Sequence, residues 1–85
     1  VEVTCLADEH GAHPIAQGRM PEQALALIEQ VKVFERLTVT AAVERSYDAA
    51  LRALLTHPLV PSYPVGKAIL DEYVEALSGL LPPLQ

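Results

Sequence analysis

Tryptophan is absent from this 85-residue sequence, and cysteine occurs only once. A single cysteine excludes an internal disulfide framework and fits a protein of the reducing cytosol, so we expect a cytoplasmic location. Lysine and arginine number six against eleven acidic residues, for a formal net charge of −5. Because no basic cluster could follow a phosphate backbone, we expect no nucleic-acid partner. No apolar run reaches the roughly 18 residues of a transmembrane helix, so we expect no membrane partner either.

Aromatic residues are also scarce, at 5% of the chain, whereas hydrophobic residues make up 51% of it. This composition predicts packed aliphatic helices rather than disorder. A folded chain of this size buries only about 60–65% of its unfolded surface, which leaves little room for both a core and a deep substrate cleft. We therefore expect that the chain alone is not a working enzyme and that it is the α+β end-piece of a larger soluble protein.

Residues 1–17 have the pattern of a β-hairpin. Apolar residues alternate over residues 1–5, which predicts a strand, and Gly11 suits a positive φ in the turn that follows. Residues 12–17 can return as a second strand, but Pro14 lacks an amide donor, so we expect this strand at a sheet edge. Because a lone hairpin is marginal in water, the segment resembles a piece cut from a larger sheet.

Three helices are predicted after the hairpin, at about residues 21–45, 47–56 and 65–78. Pro21 suits the first turn of the first helix, because its missing amide would have no partner there. Ser46 can cap the second helix through its hydroxyl group. The chain is therefore predicted to be one hairpin followed by one long and two shorter helices.

The first predicted helix has a narrow polar stripe and a much wider apolar arc. We expect such a helix to be buried on more than one side, including by another chain or copy. The arc contains the interface candidates Leu27, Val31 and Phe34. Glu35 projects into the same arc, where a carboxylate needs a cationic partner or a wet interface, and it is the fourth interface candidate. Pairing within the helix or plain exposure is preferred over a catalytic role.

Cys5, His10 and His13 form a cluster of soft metal ligands. With Asp8 or Glu9 as a fourth ligand they could hold zinc at the hairpin. The spacing matches no familiar zinc finger or ribbon. The preferred interpretation therefore packs Cys5 as a small hydrophobe and leaves both histidines in an exposed turn. We predict no metal site, with these residues as the alternative ligand set.

No segment has a catalytic or cofactor-binding pattern that the sequence can support. Gly66 and Lys67 superficially match the end of a phosphate loop. However, Pro61 stands where that motif needs a glycine, and Ala68 stands where it needs serine or threonine. We assign no catalytic residue and no cofactor-binding residue to this chain.

Short segments along the chain have an order and spacing that carry a family resemblance. They are Val1-Glu2-Val3-Thr4-Cys5, Gly11-Ala12-His13-Pro14-Ile15, Met20-Pro21-Glu22-Gln23, Glu35-Arg36-Leu37-Thr38-Val39, Ala53-Leu54-Leu55-Thr56-His57-Pro58-Leu59-Val60 and Leu70-Asp71-Glu72-Tyr73. In this order the chain resembles the C-terminal end of glycoside hydrolase family four, in particular its 6-phospho-β-glucosidase branch. The resemblance spans nearly the whole chain but only the closing part of the family's longer chain.

The resemblance implies that the parent protein hydrolyses phosphorylated disaccharides with NAD and a divalent metal, typically manganese. In this family NAD transiently oxidises the sugar C3 hydroxyl, the metal acidifies the C2 proton, and elimination, water addition and re-reduction follow. The family's dinucleotide loop and metal-binding cysteine and histidine precede the segment that this chain resembles. We therefore expect no cofactor in the chain itself.

The implied fold is a fragment of a domain similar to the C-terminal domain of lactate and malate dehydrogenases. Residues 1–85 would then form part of a substrate and oligomerisation domain, with the rest of the parent chain and identical subunits as partners. Two alternatives stay open. One is a small helical interaction module that binds a partner through its wide apolar helix, and the other is a metal-stabilised hairpin module.

Overall fold

The computed structural model describes residues 2–85 and contains an antiparallel hairpin followed by three helices. The strands are β1 (Cys5–Asp8) and β2 (Gly11–Pro14), and the helices are α1 (Glu22–Glu44), α2 (Tyr47–Thr56) and α3 (Tyr63–Ala76). This architecture confirms the predicted α+β class, with one long and two shorter helices in the predicted order.

The first strand lies further along the chain than its apolar alternation predicts. It begins at Cys5, where the predicted strand of residues 1–5 ends, and Val1 lies outside the described residues. A strand needs a hydrogen-bonded partner, and the loop of Glu9 and His10 fixes which residues find one. Gly11, directly after this loop, has the expected positive φ of 114°.

The helix boundaries follow from capping and proline chemistry. Ser46 caps α2 as predicted, since its hydroxyl accepts a hydrogen bond of 3.1 Å from the Ala49 amide. α3 begins at Tyr63, two residues before the predicted position, because Pro64 fits the first turn rather than preceding it. The same helix ends two residues early, at Ala76.

α2 is the central helix, since it packs against both α1 and α3. The residues buried in this assembly are Ala41, Ala49, Ala53 and Leu70, and Gly66 is buried in α3 beside Leu55. Three alanines let the helix backbones approach closely, but they bury little apolar surface. Within residues 2–85 neither strand packs against a helix, and no helix has the length and hydrophobicity needed to cross a lipid bilayer.

The molecule is much more open than a compact domain of its size. Its Cα radius of gyration is 17.4 Å, whereas a compact domain of 85 residues has a radius of about 12 Å. The accessible surface is 6824 Å², against about 4,900 Å² for a compact monomer of the same mass. The excess of roughly 1,900 Å² is surface that a compact domain would bury.

Candidate functional site

The hairpin separates the three candidate metal ligands. Leu6 pairs with His13, and side chains alternate along a strand, so His13 and Asp8 lie on one face and Cys5 lies on the other. His13 Nε2 lies 2.9 Å from Asp8 Oδ1, while the Cys5 thiol donates a hydrogen bond to the Val3 carbonyl at 3.5 Å. In the part of the chain that the structure describes, no group of three or more His, Cys, Asp or Glu residues could hold a metal ion. The geometry does not favour the metal-stabilised alternative.

The four interface candidates occupy different environments on α1. Leu27 is 52% exposed, and Val31 is half-buried. The Phe34 ring packs edge-on against the ring of His57, with centroids 4.7 Å apart. Glu35 accepts a hydrogen bond of 2.7 Å from Lys32, which lowers the pKa of that carboxyl group, so its cationic partner lies one helical turn away. The contact of these residues with another chain stays a prediction.

A polar cluster that the sequence analysis did not predict joins α2 to α3. The Tyr47 hydroxyl donates a hydrogen bond of 2.5 Å to Asp71 Oδ1, and Lys67 Nζ donates one of 2.6 Å to Asp71 Oδ2. These bonds lower the pKa of Asp71, with the lysine as the larger cause, and raise the pKa values of Tyr47 and Lys67. The spacing of Lys67 and Asp71 by four residues could have indicated an ion pair, but nothing in the sequence places Tyr47 beside them.

The Asp71 cluster is expected to make stability depend on pH. We predict that Asp71→Asn lowers the unfolding free energy at about pH 7 and that this difference shrinks below about pH 4. Because the pKa of Asp71 is lower in the folded state than in the unfolded state, its carboxylate stabilises the fold at pH values above the unfolded pKa. That contribution is lost as the pH falls through the folded pKa. The raised pKa values of Tyr47 and Lys67 act in the opposite direction, so their contributions are lost as the pH rises above about 10.

Urea unfolding at about pH 7 and about pH 3, followed by circular dichroism, measures the effect of Asp71→Asn. Glu72→Gln is the matched control, because it neutralises the adjacent exposed carboxylate, which makes no ion pair within residues 2–85. Added salt should weaken the effect, since the Lys67 and Asp71 side chains are each 48% exposed. A loss of stability that is the same at both pH values would contradict the assigned role of Asp71.

An apolar groove of about 260 Å³ lies where α1, α2 and α3 meet the C-terminal residues. Its lining includes Ala41, Leu70, Tyr73, Leu81 and Leu84, with Arg45 as its cation. Hydrogen bonds hold the C-terminal residues in place, from the Gln85 amide to the Arg45 carbonyl and from the Tyr47 amide to the Gln85 carbonyl. The lining supplies apolar contact area and no pair of groups arranged for acid–base catalysis, so the groove is suited to packing.

Comparison with known proteins decides the family. The model of the family 4 glycosyl hydrolase C-terminal domain matches residues 1–60. The chain belongs to family 4 of the glycosyl hydrolases. Its relatives include a probable 6-phospho-beta-glucosidase of Bacillus subtilis strain 168, 46% identical over 96% of this chain and 19% of the relative. A 6-phospho-alpha-glucosidase of Leptotrichia buccalis is 40% identical over 100% of this chain and 19% of its own length.

Solved structures of the family superpose well on this chain. The 6-phospho-beta glucosidase from Thermotoga maritima, solved with manganese, NAD+ and glucose-6-phosphate, gives a TM-score of 0.83 at 38% identity. That match covers 93% of this chain and 19% of the solved one. The chain therefore spans about a fifth of the length of the family members it matches. These matches confirm the family resemblance seen in the sequence.

The described residues fit neither of the two cofactors bound in that relative. A manganese site needs several carboxylate or imidazole ligands, and residues 2–85 bring no such group together. A dinucleotide site needs clustered glycines at the start of a helix. Instead, Gly11 begins β2, Gly18 and Gly79 lie outside the strands and helices, and Gly66 is buried against Leu55 and Val60.

Proposed function

We propose that this chain is the C-terminal structural segment of a 6-phosphoglycosidase and that it contributes packing surface rather than catalytic groups. One observation carries the proposal. The chain matches phosphoglucosidases over 96–100% of its own length, yet its surface exceeds that of a compact domain by roughly 1,900 Å². A segment that evolved to fold against the rest of a larger enzyme has this combination of features.

For the parent protein we propose hydrolysis of phosphorylated disaccharides by an NAD- and divalent-metal-dependent oxidation–elimination route, with manganese as the metal. Support comes from the family and from the manganese, NAD+ and glucose-6-phosphate bound in the Thermotoga maritima relative. We favour a β-linked substrate, because the Bacillus subtilis beta-glucosidase is 46% identical to this chain and the Leptotrichia buccalis alpha-glucosidase is 40% identical. The groups that bind the cofactors are assigned to the parent protein outside these 85 residues.

The open side of α1 supports the structural role. Leu25, Val39 and Val43 are 41%, 62% and 78% exposed, although α1 already packs against α2. Val39 and Val43 lie one helical turn apart, and neighbouring exposed apolar residues of this kind mark a contact site in soluble proteins. We propose that the rest of the parent chain or a neighbouring subunit covers this side, with Glu35 at its border one turn from Val39, and that Leu27 makes a separate contact on another side of α1. An independent helical interaction module would have the same exposed face, but it would not need the rest of a family 4 enzyme to cover that face.

The isolated chain is expected to have no glycosidase activity. We predict no detectable turnover of an aryl 6-phospho-β-glucoside by the purified chain with NAD and manganese supplied, and no heat of binding for either cofactor. The physical reason is that the described residues bring together no metal-ligand group and place no cluster of glycines at the start of a helix. The complete Thermotoga maritima enzyme is the positive control for both measurements. Turnover by the chain alone would overturn the proposal that it is a non-catalytic segment.

A further inference from the structure

We propose that the outer edge of β1, and not that of β2, pairs with an extended strand of the parent protein outside these 85 residues. This inference rests on the proposed function, because it requires that the chain be part of a longer protein. It goes further by assigning one edge of the hairpin as the attachment surface and by naming the amides that make the contact.

The register determines which backbone groups point outward. In an antiparallel pair, hydrogen-bonded and non-hydrogen-bonded positions alternate. The Asp8–Gly11 pair closes the two-residue loop and is a hydrogen-bonded pair. Two residues further along each strand, Leu6 and His13 form the second hydrogen-bonded pair. The Ile15 amide donates to the Thr4 carbonyl at 2.9 Å, which continues the same alternation.

The intervening pairs, Cys5 with Pro14 and Ala7 with Ala12, are therefore non-hydrogen-bonded. Their backbone groups point away from the partner strand, toward the two outer edges of the hairpin. On the β1 edge, Cys5 and Ala7 each present an amide and a carbonyl group. On the β2 edge, Ala12 presents both groups, but Pro14 has no amide to donate.

The two edges therefore differ in their ability to accept another strand. A strand that pairs with the β1 edge finds two amide donors at the correct spacing, whereas one at the β2 edge finds a single donor before the proline. Proline on an edge strand is a common device that blocks further pairing. The hairpin is thus open to extension on the side of β1 and blocked on the side of β2.

The surroundings of the hairpin identify the occupant as a part of the same protein. Cys5, Ala7, Ala12 and Pro14 form one face of small apolar residues, and every residue of both strands is exposed. Neither strand packs against a helix, and a lone two-stranded ribbon is marginal in water. Family members are about five times longer than this chain, and a strand within the same protein has a much higher effective concentration than a second copy.

Amide hydrogen exchange tests the assignment of the edge. The protein is the Thermotoga maritima enzyme with its matching segment replaced by this chain, and residue-resolved mass spectrometry is the readout. We expect the amides of Cys5 and Ala7 to exchange at least about 100-fold more slowly than the amide of Ala12. Equal exchange at the three amides of a folded, active hybrid would overturn the inference while leaving the proposed function intact. An inactive hybrid whose 85-residue segment is folded would count against the proposed function instead.

A pair of proline substitutions provides a second test. Ala7→Pro and Ala12→Pro change directly opposed alanines at non-hydrogen-bonded positions, so the strain within the hairpin is matched. We expect Ala7→Pro to lower the thermal midpoint of the hybrid clearly more than Ala12→Pro, and we expect equal effects in the isolated chain. Equal effects in the hybrid would contradict the inference. The inference would also be contradicted if the Ala7 amide of the isolated chain exchanged more slowly as the protein concentration rose, because a second copy of the chain would then occupy the β1 edge.

Discussion

The Ala53→Asp variant is expected to lose most of the helical circular dichroism of this chain. Ala53 is 3% exposed and lies in α2, the helix that holds α1 and α3 together. A carboxylate at this position would be buried without a cation beside it, at a cost of about 3–5 kcal/mol. Only four hydrophobic residues are buried within residues 2–85, so the chain has little stability to lose, since domains in general are stable by about 5–15 kcal/mol.

Ala68→Asp is the matched control for this substitution. Ala68 is also an alanine inside a helix, but its side chain is exposed on α3. Its replacement therefore changes only helix propensity and local charge, and we expect a cost below about 1 kcal/mol. Far-UV circular dichroism and urea midpoints of both variants measure the difference. Equal loss of stability in the two variants would show that α2 is not the central packing element.

Helix positions were predictable because local chemistry determines them. Ser46 carries a hydroxyl group that satisfies a free amide at the start of α2, and Pro58 follows shortly after its end. α1 likewise follows Pro21 and ends where Arg45 adopts a left-handed conformation with φ of 55°. The sequence shows directly the proline and the serine that precede these helices, whereas the left-handed conformation of Arg45 is visible only in the structure.

The position of β1 was harder to predict because it depends on a partner strand. Apolar alternation over residues 1–5 predicted a strand there, but strand pairing needs register, and the loop at Glu9 and His10 determines that register. The polar cluster was missed for a similar reason. Tyr47 and Asp71 are 24 residues apart in sequence, and only the packing of α2 against α3 brings them together.

The wide apolar arc of α1 indicated burial on more than one side, and α2 covers only part of the helix. Phe34 and Ala41 are shielded, but Val39 and Val43 remain exposed. The sequence could indicate that cover is needed, but it could not identify the covering element, because that element lies outside these 85 residues in our account.

The matching segment is expected to be indispensable to a complete family member. We predict that the Thermotoga maritima 6-phospho-beta glucosidase without this segment loses soluble, active protein, because the surface that the segment covers becomes exposed. The hybrid enzyme that carries this chain instead should recover activity, since the two backbones superpose with a TM-score of 0.83. A hybrid with Ala53→Asp should fail like the truncated enzyme, which would link the recovery to the fold of this chain.

The value of kcat/KM for an aryl 6-phospho-β-glucoside, measured for the hybrid and for the truncated enzyme, tests the central claim most directly. Our account predicts a hybrid within about tenfold of the intact Thermotoga maritima enzyme and a truncated enzyme at least about 1,000-fold below it. A truncated enzyme that keeps full activity would contradict the account, since the segment would then contribute nothing to the working enzyme.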